Sequence, residues 1–180
     1  MIELIIVSSI ITMVSSIFVE HLICQSDFLW TSTTQAEMRS QAQLALDAVL
    51  GELRHTTRAA AGSPPNLVIP APPNNTTMTF YLPIDIDGNG LIVDNVGNIE
   101  WDIGNPVQYQ FVPAARQLRR VVGVNSRVLA NDVNGVTFED RNIDGAMATD
   151  EVRIRLVFQR VSPRQRVVSE TATAIVKMRN

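Results

Sequence analysis

Two acidic segments carry the residue types and spacing that hold a hard cation. Asp140-Arg141-Asn142-Ile143-Asp144-Gly145, closed by Glu151, fits the D-x-[DN]-x-[DN]-G-x5-E pattern that converges oxygen ligands on Ca²⁺. Alternate side chains of a tight loop reach one ion, the Gly allows the sharp turn, and the final Glu can bind through both oxygens. Asp85-Ile86-Asp87-Gly88-Asn89-Gly90 begins the same way, but Val96 stands where the Glu belongs, and Asp94 is the candidate substitute. The candidate Ca²⁺ ligands are therefore Asp140, Asn142, Asp144 and Glu151, with a weaker set of Asp85, Asp87 and Asn89. A second reading stays open for both segments, since Asp-Gly and Asn-Gly between apolar runs are also hairpin-turn residues. An EF-hand is flanked by helices, whereas these segments adjoin strand patterns.

A third acid, Glu3, is the only charge in the apolar run that extends to Val19. Burying one carboxylate in apolar surroundings costs several kcal/mol unless a partner neutralises it, which marks Glu3 as functional. No catalytic constellation accompanies these acids. His21 and His55 are the two histidines, HExxH, GxSxG and phosphate-loop motifs are absent, and Cys24 near His21 lacks a third orienting group. The expectation is a non-catalytic protein with a possible role for Ca²⁺ and no other cofactor.

The elements that position these residues follow from periodicity. Leu4 to Val19 has no ionisable side chain and, as a helix, covers about 24 Å, short of the ~30 Å hydrocarbon core. Leu22, Ile23, Phe28 and Trp30 can extend it. A cleaved signal peptide fits poorly, because no basic n-region precedes the run and no small-x-small site closes it before Glu20 and His21; a signal anchor stays open. On a helical wheel Ser8, Ser9, Thr12, Ser15 and Ser16 share one side, while Glu3 lies opposite with Ile6, Ile10, Val14 and Ile17. Small hydroxyl residues suit close helix packing, although single-pass anchors also tolerate them.

Thr34 to Ala61 reads as an amphipathic helix with Met38, Ala42, Leu46, Val49 and Leu53 on one stripe, stopped by Gly62-Ser63-Pro64-Pro65. Period-two patterns then predict strands around residues 77–82, 107–111, 152–158 and 167–178. A long N-terminal helix ahead of closely spaced strands predicts an α+β chain whose helix covers one face of an antiparallel sheet. Three parts follow: a hydrophobic helix over 1–25, an amphipathic continuation over 26–62, and a β domain over 63–180. With 18% charged and 46% hydrophobic residues the chain belongs to no disorder class. A net charge of −3 gives no reason to expect nucleic acid, and Arg116, Arg119, Arg120 and Arg160, Arg164, Arg166 are expected on solvated strand faces. The single cysteine, Cys24, excludes an internal disulfide.

Met1-Ile2-Glu3-Leu4-Ile5-Ile6-Val7 resembles the start of type IV pilins and type II secretion pseudopilins, whose mature chains begin Phe-Thr-Leu-Ile-Glu-Leu after a leader ending in Gly. Glu3 is the matching position for the acid that, in that family, neutralises the N-terminal amine of a neighbouring subunit during filament assembly. The basic leader, its Gly and the Phe-Thr pair are missing, so the resemblance implies a start upstream of Met1; a protein that is never processed is the alternative. More weakly, Phe138 to Gly145, the strand after it and the Met178-Arg179-Asn180 ending resemble W-type minor pilins and J-type minor pseudopilins. The resemblance implies a pilin-like fold and a bacterial inner-membrane subunit with a periplasmic C-terminal domain, later part of a filament. The implied partners are other pilin or pseudopilin subunits, inner-membrane lipid and, where a leader exists, a prepilin peptidase. The other expectation is a signal-anchored periplasmic Ca²⁺-binding or adhesive domain that does not polymerise.

Overall fold

The computed structural model describes residues 2–56, 67–162 and 164–178. The chain is α+β: one long N-terminal helix, α1 (Ile2–Leu53), packs through its second half on antiparallel sheets. Neither Gly nor Pro interrupts α1 before Gly51, so its 52 residues form a rod of about 78 Å. Residues 2–22 are all exposed, whereas Met38, Ala42, Ala45, Leu46, Val49 and Leu53 are buried. The stripe expected from the period of 3.6 is thus the face that packs.

The helix stops earlier than its pattern suggests. Arg54, His55 and Thr56 close the last turn by bonding back to Leu50, Glu52 and Leu53. Buried Thr56 then donates its hydroxyl to the Tyr81 carbonyl at 3.0 Å, diverting the chain toward the sheet. Residues 57–61 of the expected helix and its Gly-Ser-Pro-Pro stop lie outside the described residues, as does the Arg179-Asn180 ending.

Two sheets form where one was expected. The first, in the order β1 (Leu67–Val68), β2 (Thr77–Phe80), β3 (Val107–Val112), β4 (Gln117–Val122) and β5 (Asn125–Ala130), is antiparallel throughout. The second contains β6 (Val133–Asp140), β7 (Glu151–Val161) and β8 (Val167–Lys177), also antiparallel. The β4–β5 loop is the two-residue turn Gly123-Val124, with Gly123 at φ +55° supplying the left-handed conformation such hairpins need. The sheets meet beside β6. Phe138 donates its N–H to the Asn75 carbonyl at 2.8 Å, the Asn75 amide returns a bond to the Phe138 carbonyl at 3.2 Å, and Val133 bonds to the Arg116 carbonyl at 2.9 Å.

The inward residues of both sheets and the α1 stripe share one core: Met78, Phe80, Tyr109, Leu118, Phe138, Ile154, Leu156 and Phe158 are buried with Met38, Val49 and Leu53. Phe80 and Tyr109 stack with centroids 5.8 Å apart. The long β2–β3 connection crosses outside this core. Bridges between Pro83 and Trp101 and between Val93 and Ile99 fold it back on itself.

Candidate functional site

Glu3 lies in the first turn of α1, where a carboxylate complements the positive end of the helix dipole, and it is exposed with the apolar residues around it. Three of the five hydroxyls of the stripe on the other side bond within the helix itself. Ser8, Thr12 and Ser16 donate to the carbonyls of Ile5, Ser8 and Thr12 at 2.9, 2.8 and 3.0 Å. A hydroxyl bonded to the preceding turn can enter apolar surroundings at little cost. Ser8, Thr12 and Ser16 are thus satisfied without a partner helix.

The segment that opened the stronger Ca²⁺ pattern is tied to an arginine. Asp144 Oδ2 accepts Arg153 Nη1 at 2.8 Å, and the same nitrogen donates to Glu139 at 3.0 Å. The Ala146 N–H and then Arg153 hold the Asp144 carboxyl below the usual carboxylate range. Asp140 Oδ1 accepts the Asn142 N–H at 3.0 Å, and Glu151 accepts the Ala148 N–H at 3.1 Å, where β7 begins. A guanidinium stands against Asp144, and Glu151 caps the turn ahead of its own strand. Asp140, Asn142, Asp144 and Glu151 have the donor set for Ca²⁺, but the carboxylates of Asp140, Asp144 and Glu151 serve turns and an ion pair.

The weaker pattern gives the tighter acidic group. Asp85, Asp87 and Glu100 each offer a carboxylate oxygen, all within 4.8 Å of one another. Asp85 accepts the N–H groups of Gly88, Asn89 and Gly90 at 2.7, 3.1 and 2.8 Å, and the Gly90 N–H foremost lowers its pKa. Asp87 takes the Asn89 N–H and side-chain amide, while Asn89 Oδ1 accepts the Leu91 N–H at 2.7 Å. Asn89 thus shapes the loop. Asp94, the expected substitute for the missing Glu, caps the next turn through Val96 and Asn98. Glu100 takes that place from outside the fixed spacing: Ile84 bonds to its carbonyl at 3.1 Å and Ile86 to its carboxylate at 2.6 Å. The legible signal was the Asp94-Asn95-Val96-Gly97-Asn98 turn, which returns the chain beside residue 85.

Charged pairs between α1 and the β domain were not foreseen. Arg120, expected on a solvated face, is half-buried and bonds Glu52 on α1 at 2.8 and 3.0 Å; the same Glu52 accepts the Tyr109 hydroxyl at 2.7 Å. Arg160 bridges Glu37 on α1 and Asp132, at 2.6 and 2.7 Å. Arg39 meets Glu170 at 2.7 Å, and Asp27 meets Arg164 at 2.9 Å. These arginines are structural ties, and Arg164 and Arg166 alone of the second basic group remain well exposed.

His21 and Cys24 lie one turn apart on the exposed surface of α1. The His21 ring pairs with the Gln25 amide at 2.9 Å, and Cys24 is an exposed free thiol on the same helix. His55 is exposed just past the helix end. The apolar first half of α1 is long and apolar enough to cross a membrane. The chain matches no protein-family profile, no curated protein and no solved structure.

Proposed function

We propose that this chain is a non-catalytic minor pilin or pseudopilin, anchored in the bacterial inner membrane by the first half of α1 and presenting its β domain to the periplasm. In this reading it enters a type IV pilus or type II secretion pseudopilus and helps initiate or cap it. The observation that carries the proposal is the exposed apolar stretch of α1 from Ile2 to Val19, whose only acid is Glu3, continuous with a second half of the helix that is bound into a folded domain. Ten of the eighteen residues from Ile2 to Val19 are Ile, Val or Thr, types that favour strands in water. In hydrocarbon the same segment must close its backbone bonds internally, which favours a helix.

On this proposal Glu3 neutralises the amine of a neighbouring subunit, the apolar helix packs among others, and the β domain recognises further subunits. A prepilin peptidase acts if a leader precedes the chain. The test is Glu3→Ala, scored in membrane and sheared-filament fractions. The expected result is normal membrane insertion with loss of filament incorporation; unchanged incorporation defeats the assembly role.

A second reading, an anchored periplasmic Ca²⁺-binding or adhesive domain that does not polymerise, draws on the Asp85, Asp87 and Glu100 group. Three carboxylates this close repel one another, and a divalent cation relieves that repulsion.

A further inference from the structure

We propose that the tip of the β7–β8 hairpin is a second membrane contact, one that docks on anionic phospholipid headgroups; the inference rests on the reading of α1 as a membrane anchor. Twenty helical residues cross the roughly 30 Å of hydrocarbon, so a core entered at Leu4 is left near Ile23. Asp27 then lies about 6 Å further, within the headgroup layer. Arg164 is bound to Asp27 at 2.9 Å, which brings the hairpin tip to the same depth.

The whole hairpin is aligned for this. Its contacts descend α1 in order, Glu170 on Arg39, Arg160 on Glu37 and Arg164 on Asp27, so β7 runs toward the membrane and β8 away from it. The turn between them is internally bonded: Ser162 donates its N–H to the Arg166 carbonyl at 2.8 Å, and Arg166 returns its N–H to the Ser162 hydroxyl at 3.0 Å.

The side chains of this turn have interfacial chemistry. Arg164, Gln165 and Arg166 are exposed at the tip, and the paired residues Val161 and Val167 are 48% and 57% exposed just behind them. On the helix at the same level Phe28 is 72% exposed and Leu29 62%. Asp27 is matched by Arg164, so Arg166 supplies a positive charge in excess at the tip, with Glu20 about 10 Å deeper along the helix. Exposed apolar side chains beside arginine, at the depth of lipid phosphates, suit an anionic interface. Continuity with the anchor favours lipid over a protein neighbour.

The test uses the full chain in vesicles of phosphatidylcholine alone and in vesicles with phosphatidylglycerol added. A fluorophore is placed through Gln165→Cys in a Cys24→Ser background, and contact is read with a headgroup-attached quencher. A separate label through Val14→Cys, read with an acyl-chain quencher, reports the anchor. Quenching at position 165 is expected to rise with phosphatidylglycerol, and Arg166→Gln, which leaves the Arg164–Asp27 pair in place, should lower the contact equilibrium about fivefold. Deep quenching at 14 with no effect of lipid charge or Arg166→Gln at 165 overturns the inference while the anchor stands. No quenching at 14 removes the anchor and the inference together. Protection at 165 that appears only with a second subunit assigns the tip to a protein neighbour and also overturns it.

Discussion

Glu52 Oε2 accepts the Tyr109 hydroxyl at 2.7 Å while Oε1 of the same carboxylate accepts Arg120 Nε at 2.8 Å, so one side chain at the end of α1 clasps β3 and β4 together. Burial first, and Glu52 second, push the ionisation of Tyr109 far above the ordinary tyrosine range. The unfolded chain therefore loses this proton near pH 10 while the folded chain keeps it. Stability from this group is complete below that pH and falls as pH rises above it. Urea denaturation followed by circular dichroism should show that fall, and Tyr109→Phe should flatten it. Near neutral pH, Tyr109→Phe should cost about 1 kcal/mol, and Glu52→Ala, which strands both donors, about 2–3 kcal/mol.

Leu53 is fully buried at the end of the packed stripe. Leu53→Ala should destabilise the β domain by about 2–5 kcal/mol through lost burial and the cavity left behind. Protein with its helix still inserted in detergent, but with protease-sensitive β strands, is the expected phenotype; a change below half the lower figure would mean the site collapses around the smaller residue.

The ion pairs along α1 should be unequal. Arg160 serves Glu37 and Asp132 together, so Arg160→Ala should cost about 1 kcal/mol, less at high salt. Arg39 is 64% exposed in its pair with Glu170, and Arg39→Ala should leave the thermal midpoint unmoved. Thermal melts at low and high ionic strength separate the two.

Under the calcium reading, titration calorimetry of the full chain in detergent should give Ca²⁺ heat that Asp87→Asn or Glu100→Gln removes, whereas Asp144→Ala leaves it intact. Loss of the heat with Asp144→Ala instead would move the site to the second loop. No heat from the parent chain leaves both segments as turns. Independently of any ion, Asp85 is held below the usual carboxylate range by backbone N–H groups, so the bonds it makes to Gly88, Asn89 and Gly90 persist above about pH 4 and are lost as pH falls through its lowered value. The protection of the Gly88 and Gly90 amides, taken relative to the intrinsic exchange rate at each pH, should fall only at acid pH.

What was legible from residues alone divides by mechanism. Met38, Ala42, Leu46, Val49 and Leu53 announced the packed helix face because a helix repeats its core contacts every three to four residues, and all five are buried. β3, β7 and β8 showed their period of two. β4 hid because Arg120 occupies the same face as buried Leu118, where its guanidinium is held by Glu52 in place of an apolar side chain, and β6 because an irregularity between Val133 and Gly135 breaks its alternation. Glu100 was invisible to a motif of fixed spacing, since it reaches Asp85 through a chain reversal. Asp27, Glu37 and Arg39 carried no signal of pairing because their partners lie far along the chain, where pairing depends on tertiary structure.

Because no Gly or Pro breaks α1 between Ile2 and Leu50, the helix behaves as a drive shaft with the β domain keyed to its far end. One residue inserted between Leu22 and Gln25 would turn the domain by about 100° relative to Glu3 and advance it by about 1.5 Å. Seven inserted residues would nearly restore the heading while lengthening the shaft by about 10 Å. The angular phase between the N-terminal acid and the folded domain is thus a heritable quantity, written in the number of residues between them and readable as a periodic tolerance to insertions.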